Sequence, residues 1–341
     1  MGQEWPTLLG DNARSGGQAP QPWRAPGSAR WQTNVEGAVR GSPVLDGELL
    51  YVPSQAGFLN AINIRSGRLQ WRFKAPAAIP STPSISSGRV LFGCSDGKVI
   101  AIDAVTGTKS WETTAEDEVW TSPVVRNETA FFGSADGAMY AVQLENGTLK
   151  WKKALGGRIY STAHVAEQRV YFGCGDGNVY CLDALTGHVV WKTATGNGID
   201  CSPALAHDTI LIGSQDFFFY ALDASSGAIR WRSEAELGIT SAPAISGDLV
   251  IFGCKAGSLQ ALDIKTGKVI WKIQVGEAIT APPVVSGLVI WLQAGITFAL
   301  NVSDGKVIWR AGMGNSLHSA PVVTKEAVYL AGIGGEVYAL E

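Results

Sequence analysis

Residues 101–111 run Ala101-Ile102-Asp103-Ala104-Val105-Thr106-Gly107-Thr108-Lys109-Ser110-Trp111, and residues 261–271 run Ala261-Leu262-Asp263-Ile264-Lys265-Thr266-Gly267-Lys268-Val269-Ile270-Trp271. The shared pattern Ala-x-Asp-x-x-Thr-Gly-x-x-x-Trp is one mark on a ruler that spans the chain. Trp stands at Trp31, Trp71, Trp111, Trp151, Trp191, Trp231, Trp271 and Trp309, so six consecutive gaps are 40 residues and the last is 38. Four positions before seven of them stands a glycine: Gly67, Gly107, Gly147, Gly187, Gly227, Gly267 and Gly305. The Ala-x-Asp triplet recurs at Ala221-Leu222-Asp223; Asn63, Gln143, Asn301 and Glu341 vary its last position, and Cys181 once replaces its alanine.

Each repeat adds a small residue followed by proline, as in Ser42-Pro43, Ser122-Pro123 and Ala320-Pro321, with Thr162-Ala163 the exception. An apolar run and a hairpin tip follow, as in Val90-Leu91-Phe92-Gly93 leading to Asp96-Gly97. One repeat is thus four short strands: A after the small-Pro pair, B on the apolar run, C on Ala-x-Asp and D on the Trp. Asp96-Gly97, Asp136-Gly137 and Asp176-Gly177 predict type I′ turns between B and C, and the Thr-Gly pairs turn C into D because glycine supplies positive φ. No ten-residue window carries the 3.6-residue period of a helix. Four strands per unit of about 40 residues is the arithmetic of a β-propeller. The expectation is therefore an all-β fold, an eight-bladed β-propeller of four-stranded antiparallel blades. The chain enters on a lone D strand at Trp31 and leaves on A, B and C strands between Ser319 and Glu341, so the eighth blade is assembled from both ends. Residues 1–29 are expected to be an N-terminal extension packing on the propeller, and residues 30–341 the propeller domain.

The units at Ala101–Trp111 and Ala261–Trp271 resemble the tryptophan-docking motif of the quinoprotein (PQQ-enzyme-like) repeat propellers, and the resemblance runs from residue 31 to 341. The opening Glu4-Trp5-Pro6-Thr7-Leu8-Leu9-Gly10-Asp11, continuing to Arg14-Ser15-Gly16, is similar to the lead-in of exported PQQ-like repeat proteins. The resemblance implies that each Trp packs between adjacent blades and that the protein is periplasmic or secreted. It also offers two functional branches. Quinoprotein dehydrogenases hold PQQ and calcium at the centre of the ring, usually under a vicinal disulfide, with a Glu, an Asn and an Asp around the metal. This chain has no Cys-Cys pair, and with every repeat near 40 residues it has no inserted segment to build a substrate cavity. The other branch is non-catalytic and includes the propeller lipoprotein of the outer-membrane β-barrel assembly machine; size and regularity put the chain with it. Function does not follow from the fold, because one propeller hosts many tasks.

Composition narrows the partners. The 341 residues include 41 Gly, about 12% against a usual 7% or so, with 12 Trp, 46% apolar residues and only 17% charged ones, a profile opposed to disorder. With 27 basic against 30 acidic residues and no Lys/Arg cluster, nucleic acid is not an expected partner. No run of 18 apolar residues encodes a transmembrane helix, and Met1-Gly2 opens into polar sequence, so export rests on the resemblance. A monomer is expected.

Candidate functional residues are those that break the ruler. Strand direction puts the D-to-A links and the B-to-C tips on one face. At the start of strand A, Val39, Ile79, Val119, Ile159, Ile199, Ile239, Ile279 and Leu317 form an all-apolar column that belongs between blades. The next column is individual: Arg40, Pro80, Trp120, Tyr160, Asp200, Thr240, Thr280 and His318. Innermost strands line the axis, so Arg40, Trp120, Tyr160, Asp200 and His318 are ligand-binding candidates at the channel mouth, where charges orient and aromatic faces stack on a small molecule; a water-filled mouth that tolerates any residue is the competing account. Glu118 and Arg158, two residues earlier, either extend this ring toward a partner or pair with each other. In the fifth repeat Phe217 replaces the tip glycine, ahead of Phe218 and Phe219. Alternation buries Phe219 and leaves Phe217 and Phe218 at the tip as partner-binding candidates, or as a seat for the extension with its Trp5 and Trp23. Cys94, Cys174 and Cys254 share a column with serines, Cys181 sits in an alanine column and Cys201 replaces Ser or Thr, so all five read as small buried residues. His318 lacks a second ligand at zinc spacing, and the Asp-Gly tips are explained by turn chemistry without calcium.

The leading reading is a non-catalytic binding or scaffold propeller that presents its loop face and channel mouth to a protein or other macromolecule, with no cofactor, no metal and no catalytic residue. The alternative is a PQQ-binding protein or minimal quinoprotein oxidoreductase with calcium, in which Trp120 or Tyr160 stacks on the quinone, Arg40 and His318 meet its carboxylates and Asp200 lies near the metal. A carbohydrate-binding or sensor module is the third.

Overall fold

The computed structural model describes residues 4–5, 26–27, 29–312 and 319–341. All regular structure among them is β-strand, arranged as eight sheets. Blade one shows the pattern: strand A is Val44–Asp46, B is Leu49–Pro53, C is Phe58–Asn63 and D is Leu69–Lys74, each antiparallel to the one before. Blades two to seven repeat it. Blade eight takes A from Val322–Val323, B from Val328–Ala331 and C from Glu336–Leu340, and its D strand is Ala29–Asn34 from the other end of the chain, with Trp31 opposite Ala339. The Ala320 amide donates to Ser42 Oγ at 2.8 Å, which joins the inner strands of blades eight and one across 278 residues of sequence.

Burial follows strand position. Strands A to C are covered on both faces by neighbouring blades, and Phe92, Phe132, Phe172, Phe219 and Phe252 are among the largest fully buried side chains. Strand D alternates exposed residues with buried or half-buried ones, as in Lys109–Thr114, because it forms the outer rim. Sparse charge is the consequence of blades packed on both sides.

The docking motif works through close approach. The Trp71 indole packs on Gly107 of the next blade, where an added Cβ would lie 2.7 Å from Cδ2; Gly107 also holds φ 70, so both the contact and the turn require glycine. Asp103 ties the same turn by accepting from Thr106 N and Thr106 Oγ1, both at 2.8 Å. Trp111 Nε1 donates to Leu144 O at 2.8 Å, and Trp31, Trp151, Trp191, Trp231 and Trp271 make the corresponding bond to the blade that follows. Trp71 Nε1 has no partner; the matching carbonyl, Ala104 O, accepts from Tyr51 Oη at 3.1 Å, although Ala224 O accepts from both Tyr171 Oη and Trp191 Nε1.

One local expectation is corrected. A type I′ turn needs positive φ at both central residues, yet at the tip of blade two only Gly97 has it, with Gly97 N donating to Cys94 O at 3.2 Å. The same holds at Asp136-Gly137 and Asp176-Gly177. The tips are type I turns followed by a left-handed glycine, and the Asp accepts from the backbone two residues on, as Asp136 Oδ1 does from Ala138 N at 2.8 Å. Paired positive φ occurs instead in A-to-B turns, at Ser87-Gly88 and Asn127-Glu128. The shorter last repeat is a contracted tip in blade seven: Val289–Ala294 and Ile296–Asn301 are joined through Gly295 alone.

Candidate functional site

The D-to-A links and B-to-C tips share one face, held together by main-chain bonds such as Gln55 N to Ala38 O at 2.8 Å and Gln215 N to Gly198 O at 3.1 Å. The apolar column is fully buried at Val39, Ile79, Val119, Ile159, Ile199, Ile239 and Ile279. Leu317 and His318 lie outside the described residues, as does Trp23.

Of the individual column, the structure brings two neighbours together. Trp120 and Tyr160 have ring centroids 5.9 Å apart, tilted by 59°, and Trp120 is 41% exposed. Their flanking charges do not pair with each other as one expectation had it. Trp120 Nε1 donates to Glu118 Oε2 at 2.8 Å and Arg158 donates to Tyr160 Oη at 3.4 Å, because residues two apart in an extended link share a side. The four make an aromatic patch edged by one negative and one positive group. Asp200 belongs to a second cluster: Gln215 Nε2 donates to its carboxylate at 2.5 Å, and Lys255 Nζ donates to Gln215 Oε1 at 2.9 Å. Gln215 and Lys255 occupy the same tip position one repeat apart, and comparing that variable column would have found them. Arg40 is exposed, and among the described residues no hydrogen bond, ion pair or ring contact ties it to either cluster.

Blade five carries the other departure. Phe219 is buried and stacked on Phe252 with centroids 4.0 Å apart, as alternation predicts. Phe218 is half-buried: the Arg232 guanidinium lies 4.6 Å from its ring centroid and Tyr220 lies beside it. Phe217 is 46% exposed with φ 74, the left-handed backbone that Gly57, Gly97, Gly137, Gly177, Gly257 and Gly335 adopt at the other tips. Its carbonyl accepts from Ala235 N at 2.7 Å, which places it beside the link bearing Leu237, itself 43% exposed. The sequence reading passed over Leu237 because links on this face are variable and single exposed leucines are ordinary.

All five cysteines are buried, and none is in a disulfide. Burial pushes the thiols of Cys94, Cys174 and Cys181 up to about 12, so they stay protonated and inert at neutral pH. Among the described residues no three of His, Cys, Asp and Glu group as metal ligands. The described donors at the mouth do not fit calcium beside a quinone. Calcium needs six to eight oxygens, and Asp200 stands alone with its carboxylate engaged by Gln215.

The family model described as outer membrane protein assembly factor BamB matches residues 24–163 and 152–295. BamB from Moraxella catarrhalis is similar in structure, with a TM-score of 0.82 and 20% identity, over 92% of this chain and 99% of that one. The quinohemoprotein alcohol dehydrogenase from Comamonas testosteroni gives a TM-score of 0.86 at 16% identity, over 99% of this chain and 80% of that one. The computationally designed protein Ika8 gives 0.82 at 17% identity, over 99% of each chain. These identities show a common fold. No curated protein matches the chain.

Proposed function

Because the chain belongs to the family described as outer membrane protein assembly factor BamB, we propose that it is a non-catalytic periplasmic propeller that holds a protein partner of outer membrane protein assembly on its hairpin-tip face. Phe217 carries this reading. A bulky residue in the left-handed region costs about 1–2 kcal/mol, and burial offsets only part of it here, since the residue stays 46% exposed. A rigid aromatic beside exposed Leu237, with Trp120 on the same face, has the make-up of interface anchors within a polar rim. The mechanism is presentation: the ring holds loops in fixed positions, so little order is lost on binding.

The test is a photo-crosslinking residue at position 217 in the producing cell. Crosslinks to an outer membrane assembly protein, lost with a Leu237→Asp change, are the expected result. Absence of any crosslinked product from 217, with crosslinks instead from the opposite face at 207, would sink the proposal. For the quinone alternative, titration with PQQ and calcium is expected to leave tryptophan fluorescence unchanged; saturable micromolar quenching that Trp120→Ala abolishes would reverse the assignment.

A further inference from the structure

Outside the eight four-stranded blades, the described chain adds one strand to the ring. Glu4–Trp5 pairs antiparallel with strand A of blade one, Glu4 opposite Asp46 and Trp5 opposite Leu45, giving that blade a fifth strand. Strand A is the innermost, and its far edge is taken by strand B, so the added strand lies on the side of the axis. In an antiparallel ladder successive residues turn their N–H and C=O to opposite edges. Asp46 and Leu49 close the A-to-B hairpin, so Val44 and Asp46 bond to strand B while Leu45 offers its main chain to the axis.

Burial at the position of Leu45 varies around the ring and does not by itself single out one side. The residue equivalent to Leu45 is buried in blades seven, eight and one, at Val285, Val323 and Leu45. It is half-buried in blades two, three, five and six, at Ile85, Val125, Leu205 and Ile245; Val165 of blade four is buried too. Among the described residues no other inner strand has a strand partner toward the axis. An unpaired edge is a template for an extended chain, and such pairing is a common mode of peptide recognition.

We propose that the axial edge of blade one is a strand-addition site for an extended peptide, held in cis by Glu4–Trp5 and open to the same kind of segment supplied in trans. The ligand class is an extended polypeptide with a free main-chain N–H at the position opposite Leu45. This site is independent of Phe217 and of the tip face.

Amide hydrogen exchange on the full chain tests it. The Leu45 amide is expected to exchange at least about tenfold more slowly than those of Val125, Leu205 and Ile245, and Trp5→Pro, which removes the paired N–H, should bring it to their rate. A synthetic peptide of residues 2–9 added to the Trp5→Pro chain should restore the protection saturably, and the same peptide N-methylated at its tryptophan should not. Leu45 exchanging as fast as its three equivalents in the unaltered chain would overturn the cis pairing. A peptide that fails to restore protection would overturn acceptance in trans, and an N-methylated peptide that works equally well would replace strand pairing with side-chain docking.

Discussion

At Phe217 the backbone sits at φ 74, where six other tips have glycine, so replacing it with glycine tests structure and function in opposite directions. Phe217→Gly is expected to stabilise the fold by about 1 kcal/mol, a rise in melting temperature of roughly 1–2 °C by calorimetry, while weakening partner capture about tenfold or more. A fall in melting temperature would show that the ring is needed for packing. The docking tryptophans allow a second comparison. Trp111 Nε1 is bonded to Leu144 O, whereas Trp71 Nε1 has no partner. Trp111→Phe should therefore cost about 1 kcal/mol more than Trp71→Phe in denaturant titrations. That the tryptophans recur was legible from their spacing, and that they pack between blades was implied by the resemblance; seven of them sit against a glycine of the next blade. That Tyr51 reaches Ala104 O was not legible, since the two are 53 residues apart and meet only when two blades stack.

The recurring element is the C-to-D turn, and it predicts a pH dependence. Backbone and side-chain hydrogen bonds from Thr106 hold the Asp103 carboxyl below the usual carboxylate range, and Thr186 and Thr266 do the same for Asp183 and Asp263. In blade five, hydrogen bonds from Arg230 draw Asp208 down to about 2. A carboxylate depressed in the folded state contributes stability above its unfolded value of about 3.9 and loses it as pH falls toward the folded value. The melting temperature should thus be level from pH 7 to 5 and drop between about pH 4 and 2. Asp103→Asn and Asp263→Asn together should shallow that drop in thermal melts; an unchanged acid profile would mean the turns are not its source. The B-to-C tips show where element reading fell short. Asp-Gly signals a turn by composition, but whether one or both residues enter the left-handed region depends on loop length, which the tertiary register decides.

For the whole molecule, closure is the vulnerable step. Ala29–Asn34 completes blade eight, and the Ala320 to Ser42 bond seals the inner ring. Deleting residues 29–34 should lower the melting temperature sharply, because Glu336–Leu340 becomes an open edge and Trp31 leaves its place against Gly67. An unchanged melt would refute closure by this strand. By itself the sequence determined the repeat, the strand order, the number of blades and the closing strand, because each is a matter of period and of turn residues that act locally. It also singled out Trp120, Tyr160, Asp200 and Phe217 as departures from the ruler. Only the tertiary structure decided how those departures group: Trp120 with Tyr160 and Glu118, Asp200 with Gln215 and Lys255, Phe217 beside Leu237, and Glu4–Trp5 on the axial edge of blade one. The physical reason is that a 40-residue period fixes every contact that repeats from blade to blade, while contacts among the residues that depart from the repeat depend on side-chain reach, which no spacing encodes.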